Sequence, residues 1–188
     1  VRLRYLEAGS GRPLVLIHGW SQAAELFRHQ LDGLSDRCRV IAYDQRGHGD
    51  SDKPTFGYRI ARLAKDLHDF LTALDLRDVV ALGHSMGCSV LWCYWDLFGA
   101  ERLAKLILVD QAPFMTDNPA WSPAEREAAG ALATAEERVA YWNRIAASTG
   151  EAPIRELVER MTTSALDPAV KAWIVEHNLK MPRTAAAA

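Results

Sequence analysis

Ser85 lies at the centre of Gly83-His84-Ser85-Met86-Gly87, a G-x-S-x-G spacing. The segment before it, Val79 to Leu82, is a short apolar run, and Ser85 to Phe98 reads as a helix. A serine on a sharp strand-to-helix turn is lifted to the tip of the bend, near the positive end of the helix that follows. Side chains two positions to either side would collide there, and Gly83 and Gly87 remove them. A hydroxyl held in this way is a nucleophile for acyl transfer. The competing account is a glycine-bounded turn with an incidental serine.

Acyl transfer needs donors for the developing oxyanion. One is expected from the residue after the nucleophile, the Met86 N–H. The other is expected from the loop after an earlier strand. Leu14-Val15-Leu16-Ile17-His18-Gly19-Trp20 supplies such a strand end, with Trp20 as the donor. His18 reads as a residue that fixes this loop by hydrogen bonding. A third segment, Asp44-Gln45-Arg46-Gly47-His48-Gly49-Asp50-Ser51, reads as scaffold, a tight turn with an internal Asp–Arg interaction. His48 is expected to serve that turn.

These segments need a frame. Short runs rich in Val, Ile and Leu recur at Leu14–Ile17, Arg39–Tyr43, Val79–Leu82 and Leu106–Val109, without strict alternation. Strands buried on both faces of a parallel sheet look like this. Arg2 to Glu7 alternates and reads as an edge strand, and Gly9-Ser10-Gly11 as a hairpin-like turn. Helical spacing fills the gaps at Ala24–Leu34, Ile60–Leu74 and Ser85–Phe98, the last apolar on most sides and so expected at the centre. Its Trp92, Tyr94 and Trp95 read as core. The alternation predicts an α/β fold, a mostly parallel sheet with helices on both faces.

After Asp110 the texture changes. Pro113, Asn118 and Pro119 mark a turn-rich stretch, and from Pro123 the chain reads as helix apart from breaks at Gly150–Pro153 and Asp167–Pro168. The pieces are Ala135–Ala147, Ile154–Ser164 and Ala169–Leu179. Residues 1–110 are thus expected to form the core and 111–188 a helical cap over the carboxyl edge of the sheet.

With 188 residues, 49% hydrophobic and 24% charged, the chain has the composition of a globular protein, which excludes disordered and collagen-like classes. Its formal net charge of −2 offers no field for nucleic acid or an anionic membrane. The longest apolar runs are far too short to span a bilayer. Cys38, Cys88 and Cys93 form no C-x-x-C pair and read as reduced thiols of a cytoplasmic protein. No metal cluster, phosphate loop or dinucleotide fingerprint is visible, so no cofactor is expected. The expected partner is a small-molecule substrate.

His-Gly-Trp near residue 18, D-Q-R-G-H-G-D-S near 44 and G-H-S-M-G near 83, in that order, resemble the α/β-hydrolase superfamily. The Trp20 loop and the R-G-H-G turn are similar to its branch of cofactor-free haloperoxidases and aryl esterases. The resemblance covers residues 1–110 and implies Ser85 as nucleophile, with the Trp20 and Met86 amides as oxyanion hole. It places the cap after the sixth strand of the family's sheet. Cys88 stands where the family usually has glycine, which enlarges a position on the central helix. Serine at the elbow argues against dehalogenase or epoxide hydrolase chemistry, which uses aspartate there in related branches.

The family's order is nucleophile, acid, histidine. The acid candidate is Asp110, which competes with a capping role, and the sole later histidine is His177, inside a helix-like segment. Neither fits well. The polypeptide is therefore expected to continue for tens of residues and to supply a late Asp and His. Trp20, Met86, Phe114, Met115, Trp121 and Trp142 are candidates to line an apolar pocket. The activity expected is serine hydrolysis of small esters, lactones or related acyl compounds. The alternatives are a non-catalytic ligand-binding relative, or cofactor-free perhydrolase or dioxygenase chemistry on the same fold.

Overall fold

The computed structural model describes residues 1–112, 114–130, 133–148 and 151–186. Pro113 and Gly150, read above as turn residues, lie outside the described residues. Five strands form one sheet: β1 (Tyr5–Ala8), β2 (Pro13–Ile17), β3 (Arg39–Tyr43), β4 (Val79–His84) and β5 (Leu103–Val109). Their spatial order is β1-β3-β2-β4-β5. β1 runs antiparallel to β3, and every other pair is parallel. The family's count put a sixth strand before the helical region. Here that strand is the fifth, and no strand follows it among the described residues.

Side chains alternate across each strand, so β2 feeds two cores. Val15 and Ile17 point to one face, where they meet Ile41, Tyr43, Val79 and Ala81 under α2 (Ile60–Ala73) and α3 (Met86–Phe98). Leu14 and Leu16 point to the other, with Val40 and Ala42. There Ala24 and Leu31 cover them from a 3-10 turn at Ala24–Phe27 and from α1 (Arg28–Leu34). The Ala24–Leu34 segment thus opens as the tighter 3-10 form rather than as a uniform α-helix. The expected helices on both faces are present.

α3 departs from its expected place at the centre. Tyr94 is fully buried, but Trp92 and Trp95 are exposed. The reason is the edge beside them. β5 is the last strand, and its Ile107, Leu108 and Val109 are 42%, 46% and 39% exposed. Both the strand and the outer flank of α3 carry core-type residues that the described residues leave partly exposed.

Beyond Asp110 the structure is helical: α4 (Pro123–Ala129), α5 (Ala135–Ala147), α6 (Ala152–Met161), α7 (Pro168–Leu179) and the short α8 (Arg183–Ala186). Ser122 and Thr134 close reciprocal capping boxes with Glu125 and Glu137. Pro153 and Pro168 sit in the first turns of α6 and α7, where a missing N–H costs nothing. These helices meet the β2 loop through Trp20. Its side chain packs against two apolar clusters, one of Ile145, Met181 and Ala185 and one of Ile154, Val158 and Val175. Ser21 hydrogen-bonds Asn178 of α7, and Lys180 reaches Asp50 at 3.1 Å. No helix among the described residues is long and apolar enough to cross a membrane.

Candidate active site

The elbow has the strained geometry that its spacing implies. Ser85 caps α3 with φ 51° and ψ −121°, a positive φ that a non-glycine residue seldom adopts. α3 therefore begins at Met86, one residue later than its sequence suggests. A Cβ on Gly83 would lie 2.6 Å from the Gly87 backbone, and one on Gly87 would lie 2.3 Å from the Ile17 carbonyl oxygen. Both glycines are thus set by backbone against backbone. The Ser85 N–H donates to the Val109 carbonyl at 2.9 Å, which ties the elbow to the end of β5. Cys88 is buried, and its thiol turns back toward the Gly83 carbonyl at 3.0 Å, so the larger residue is accommodated at the foot of the bend. Burial pushes that thiol's pKa up.

The two expected oxyanion donors occupy free positions. Met86 is the first residue of α3, and its N–H has no partner within the helix. Among the described residues no acceptor takes the Trp20 N–H either. Gly19 is what brings the loop against the elbow: a Cβ there would lie 3.0 Å from Ser85 Cβ.

His18 is fully buried, with Nδ1 2.8 Å from the Gly19 carbonyl and Nε2 accepting from the Gln45 N–H at 3.1 Å. An acceptor at Nε2 requires the neutral ring, with its proton on Nδ1. His18 fixes the loop, as its sequence context suggests. His48 packs on it with ring centroids 5.0 Å apart and shares a hydrogen bond with the Arg46 carbonyl. Desolvation by burial lowers the pKa of His18 to about 4 and that of His48 to about 3.

A pH dependence follows. The unfolded imidazoles take up protons near 6.5, while the folded rings stay neutral. Below that pH the unfolded state binds more protons, so stability falls as pH falls. The urea midpoint is expected to decline from pH 6.5 toward 4, each ring contributing up to about 1.4 kcal/mol per pH unit. A midpoint that stays level across that window would show these rings to be exposed or charged in the native state.

The scaffold turn is built differently from its expected form. Arg46 does not pair with Asp44. Its guanidinium makes two bonds, of 2.7 and 2.8 Å, with Asp66 of α2. Asp44 instead accepts from the backbone N–H groups of Ala24 and Asp50 at 2.7 and 2.9 Å and faces Arg4 at 3.4 Å. Backbone donors from the 3-10 turn and from the scaffold turn itself satisfy this carboxylate, leaving Arg46 to a partner across the core.

Neither the acid candidate nor the histidine candidate hydrogen-bonds Ser85 among the described residues. Asp110 directly follows β5, with its side chain 82% exposed and 3.9 Å from His84 Nε2. His177 is buried in α7, its Nδ1 2.8 Å from the Trp173 carbonyl and its ring 4.3 Å from the Trp173 ring. Among the described residues no side chain hydrogen-bonds the Ser85 hydroxyl. Of the pocket candidates, Trp20 and Trp142 meet edge to face at 5.1 Å. Phe114 and Trp121 form a separate pair at 5.2 Å, with Met115 exposed nearby in sequence. No ring contact among the described residues joins that pair to Trp20.

Two residues at the site were not singled out by sequence. Gln22 accepts from the Gly19 N–H at 2.8 Å, and His84 Nδ1 lies 2.9 Å from the same oxygen. A polar side chain three residues past a loop glycine was the available signal.

A strained serine elbow packed against a His-Gly loop on a mostly parallel sheet defines an α/β hydrolase. The family model described as alpha/beta hydrolase fold matches residues 12–163, and the chain belongs to that family. It is 42% identical over 114 residues to the non-heme chloroperoxidase CPO-A1 of Kitasatospora aureofaciens, covering 60% of this chain and 42% of that one. It is 37% identical over 112 residues to a soluble epoxide hydrolase of Corynebacterium sp. (strain C12), covering 60% and 39%. Among solved structures, an esterase from Exiguobacterium antarcticum superposes with a TM-score of 0.86 at 24% identity, over 98% of this chain and 66% of that one. The chain thus spans under half the length of these curated relatives.

Proposed function

We propose that the protein is a serine hydrolase of small esters, lactones or related acyl compounds, with Ser85 as nucleophile. The observation that carries this reading is the positive-φ elbow at Ser85, set against a loop whose Trp20 amide is unclaimed. Ser85 Oγ attacks the acyl carbonyl carbon, and the carbonyl oxygen gains a negative charge. The Trp20 and Met86 N–H groups hold that charge. Collapse breaks the acyl C–O bond, the departing oxygen takes up the proton that the Ser85 hydroxyl gave up through the general base, and water then releases the acyl group from Ser85.

Residues 111–188 serve as a cap in this reading, with Trp20 and Trp142 as the apolar wall over the acyl chain and Phe114, Met115 and Trp121 as further candidates to line it. The general base and its acid belong to polypeptide beyond the groups that face Ser85 here, for which the longer relatives leave room. Serine rather than aspartate at position 85 favours esters over epoxides, although one relative is named an epoxide hydrolase. The three cysteines are unpaired, which fits a cytoplasmic protein.

The test uses the full-length protein, a fluorophosphonate probe and p-nitrophenyl esters of rising chain length. Labelling and ester turnover are expected in the wild type and are expected to vanish in Ser85→Ala. A folded wild-type protein that neither labels nor turns over any ester would mark it as a non-catalytic binder.

A further inference from the structure

Gln22 offers a single oxygen to two donors on different segments. The Gly19 N–H lies 2.8 Å away and His84 Nδ1 lies 2.9 Å away. A backbone N–H can only donate, so the Gln22 atom is the carbonyl oxygen, and His84 must carry its proton on Nδ1. Gly19 directly precedes Trp20, and His84 directly precedes Ser85 and Met86. The two donors thus come from the two segments that hold the two candidate oxyanion amides.

The Gly19 carbonyl is held as well. It lies 2.8 Å from His18 Nδ1 and 3.3 Å from the Gln22 backbone N–H. That carbonyl and the Trp20 N–H belong to one planar trans peptide and point in opposite directions. Bonds on the oxygen therefore aim the N–H. A Cβ on Gly19 would lie 2.9 Å from Gln22 Oε1 and 3.0 Å from Ser85 Cβ, so the amide side chain fills the corner where loop and elbow touch.

We infer that Gln22 is a positioning residue that locks the β2 loop to the elbow and so holds the Trp20 and Met86 amides at a fixed separation before substrate arrives. The inference rests on the reading of Ser85 as nucleophile. Gln22 touches no reacting atom. It acts through Gly19 and His84, and a donor displaced by about 1 Å costs on the order of a hundredfold in rate.

The experiment compares wild-type full-length protein with Gln22→Leu, which keeps the bulk but removes the acceptor, and Gln22→Glu, which keeps an oxygen in place. Fluorophosphonate labelling is resolved into reversible binding and the covalent step, and amide hydrogen exchange is followed at Gly19. Gln22→Leu is expected to slow the covalent step about 10- to 100-fold with little change in reversible binding, and to speed exchange at Gly19. Gln22→Glu is expected to restore both. Unchanged exchange at Gly19 in Gln22→Leu would remove the tie itself. Faster exchange with wild-type labelling would leave a tie that positions nothing and would overturn the inference while sparing the nucleophile. A wild-type protein that is protected at Gly19 but does not label would overturn the nucleophile reading and this inference with it.

Discussion

Gly87→Ala is expected to cost the fold about 3 kcal/mol and to abolish labelling of Ser85. The added methyl would sit 2.3 Å from the Ile17 carbonyl oxygen and 3.2 Å from that of His18. Both neighbours are backbone at the end of a central strand, so no side-chain rotation can relieve the overlap. α3 must lift away from β2, and the elbow moves with it. Equilibrium urea unfolding reads the loss of stability, and the fluorophosphonate probe reads the loss of the site. A variant with native stability and labelling would mean that α3 does not start in contact with β2.

Asp66→Ala is expected to be more damaging still, at about 3–5 kcal/mol. The Arg46 side chain is 3% exposed and that of Asp66 is 11% exposed, and the two are joined by a bidentate pair. Removing the carboxylate leaves a buried guanidinium whose Nη1 already lacks a partner. The penalty is that of an uncompensated buried charge rather than of a lost surface bridge. For a domain of this size it corresponds to a drop in melting temperature of about 10 °C. Replacing the pair together by apolar residues should recover much of the loss, because no charge is then stranded. A thermal melt of the single and double variants decides the matter; a single variant as stable as wild type would refute it.

These expectations show which parts of the molecule were legible from sequence. The elbow was, because the spacing of Gly83, Ser85 and Gly87 is a steric demand written in consecutive residues. The strands were, because a run meant for both faces of a sheet does not alternate, although the Leu106–Val109 run read in the same way lies exposed in the edge strand β5. The Arg46 partner was not. Asp66 is one of two acids on α2, with Asp69, and only the crossing of α2 over the β3 loop selects it. Trp92 and Trp95 misled for the opposite reason. Their apolar character announces burial, and the cover that would bury them is absent from the described residues. Gln22 carries no periodic signal, so its role emerges from two distances that sequence does not contain. A base for the proposed nucleophile was not legible, because neither Asp110 nor His177 hydrogen-bonds the Ser85 hydroxyl among the described residues.

The strand order has a consequence for how the molecule comes to exist. β2 is the second strand made but the middle one in space, and its flanks are filled by β3 and then by β4, with Leu14 aligned to Val80. Parallel partners so distant along the chain close slowly. A nascent polypeptide emerging from the ribosome therefore holds its central ribbon open until the segment bearing Ser85 has been synthesised. The insertion that completes the middle of the sheet also brings into place the end of β4 from which the strained Ser85 turn departs.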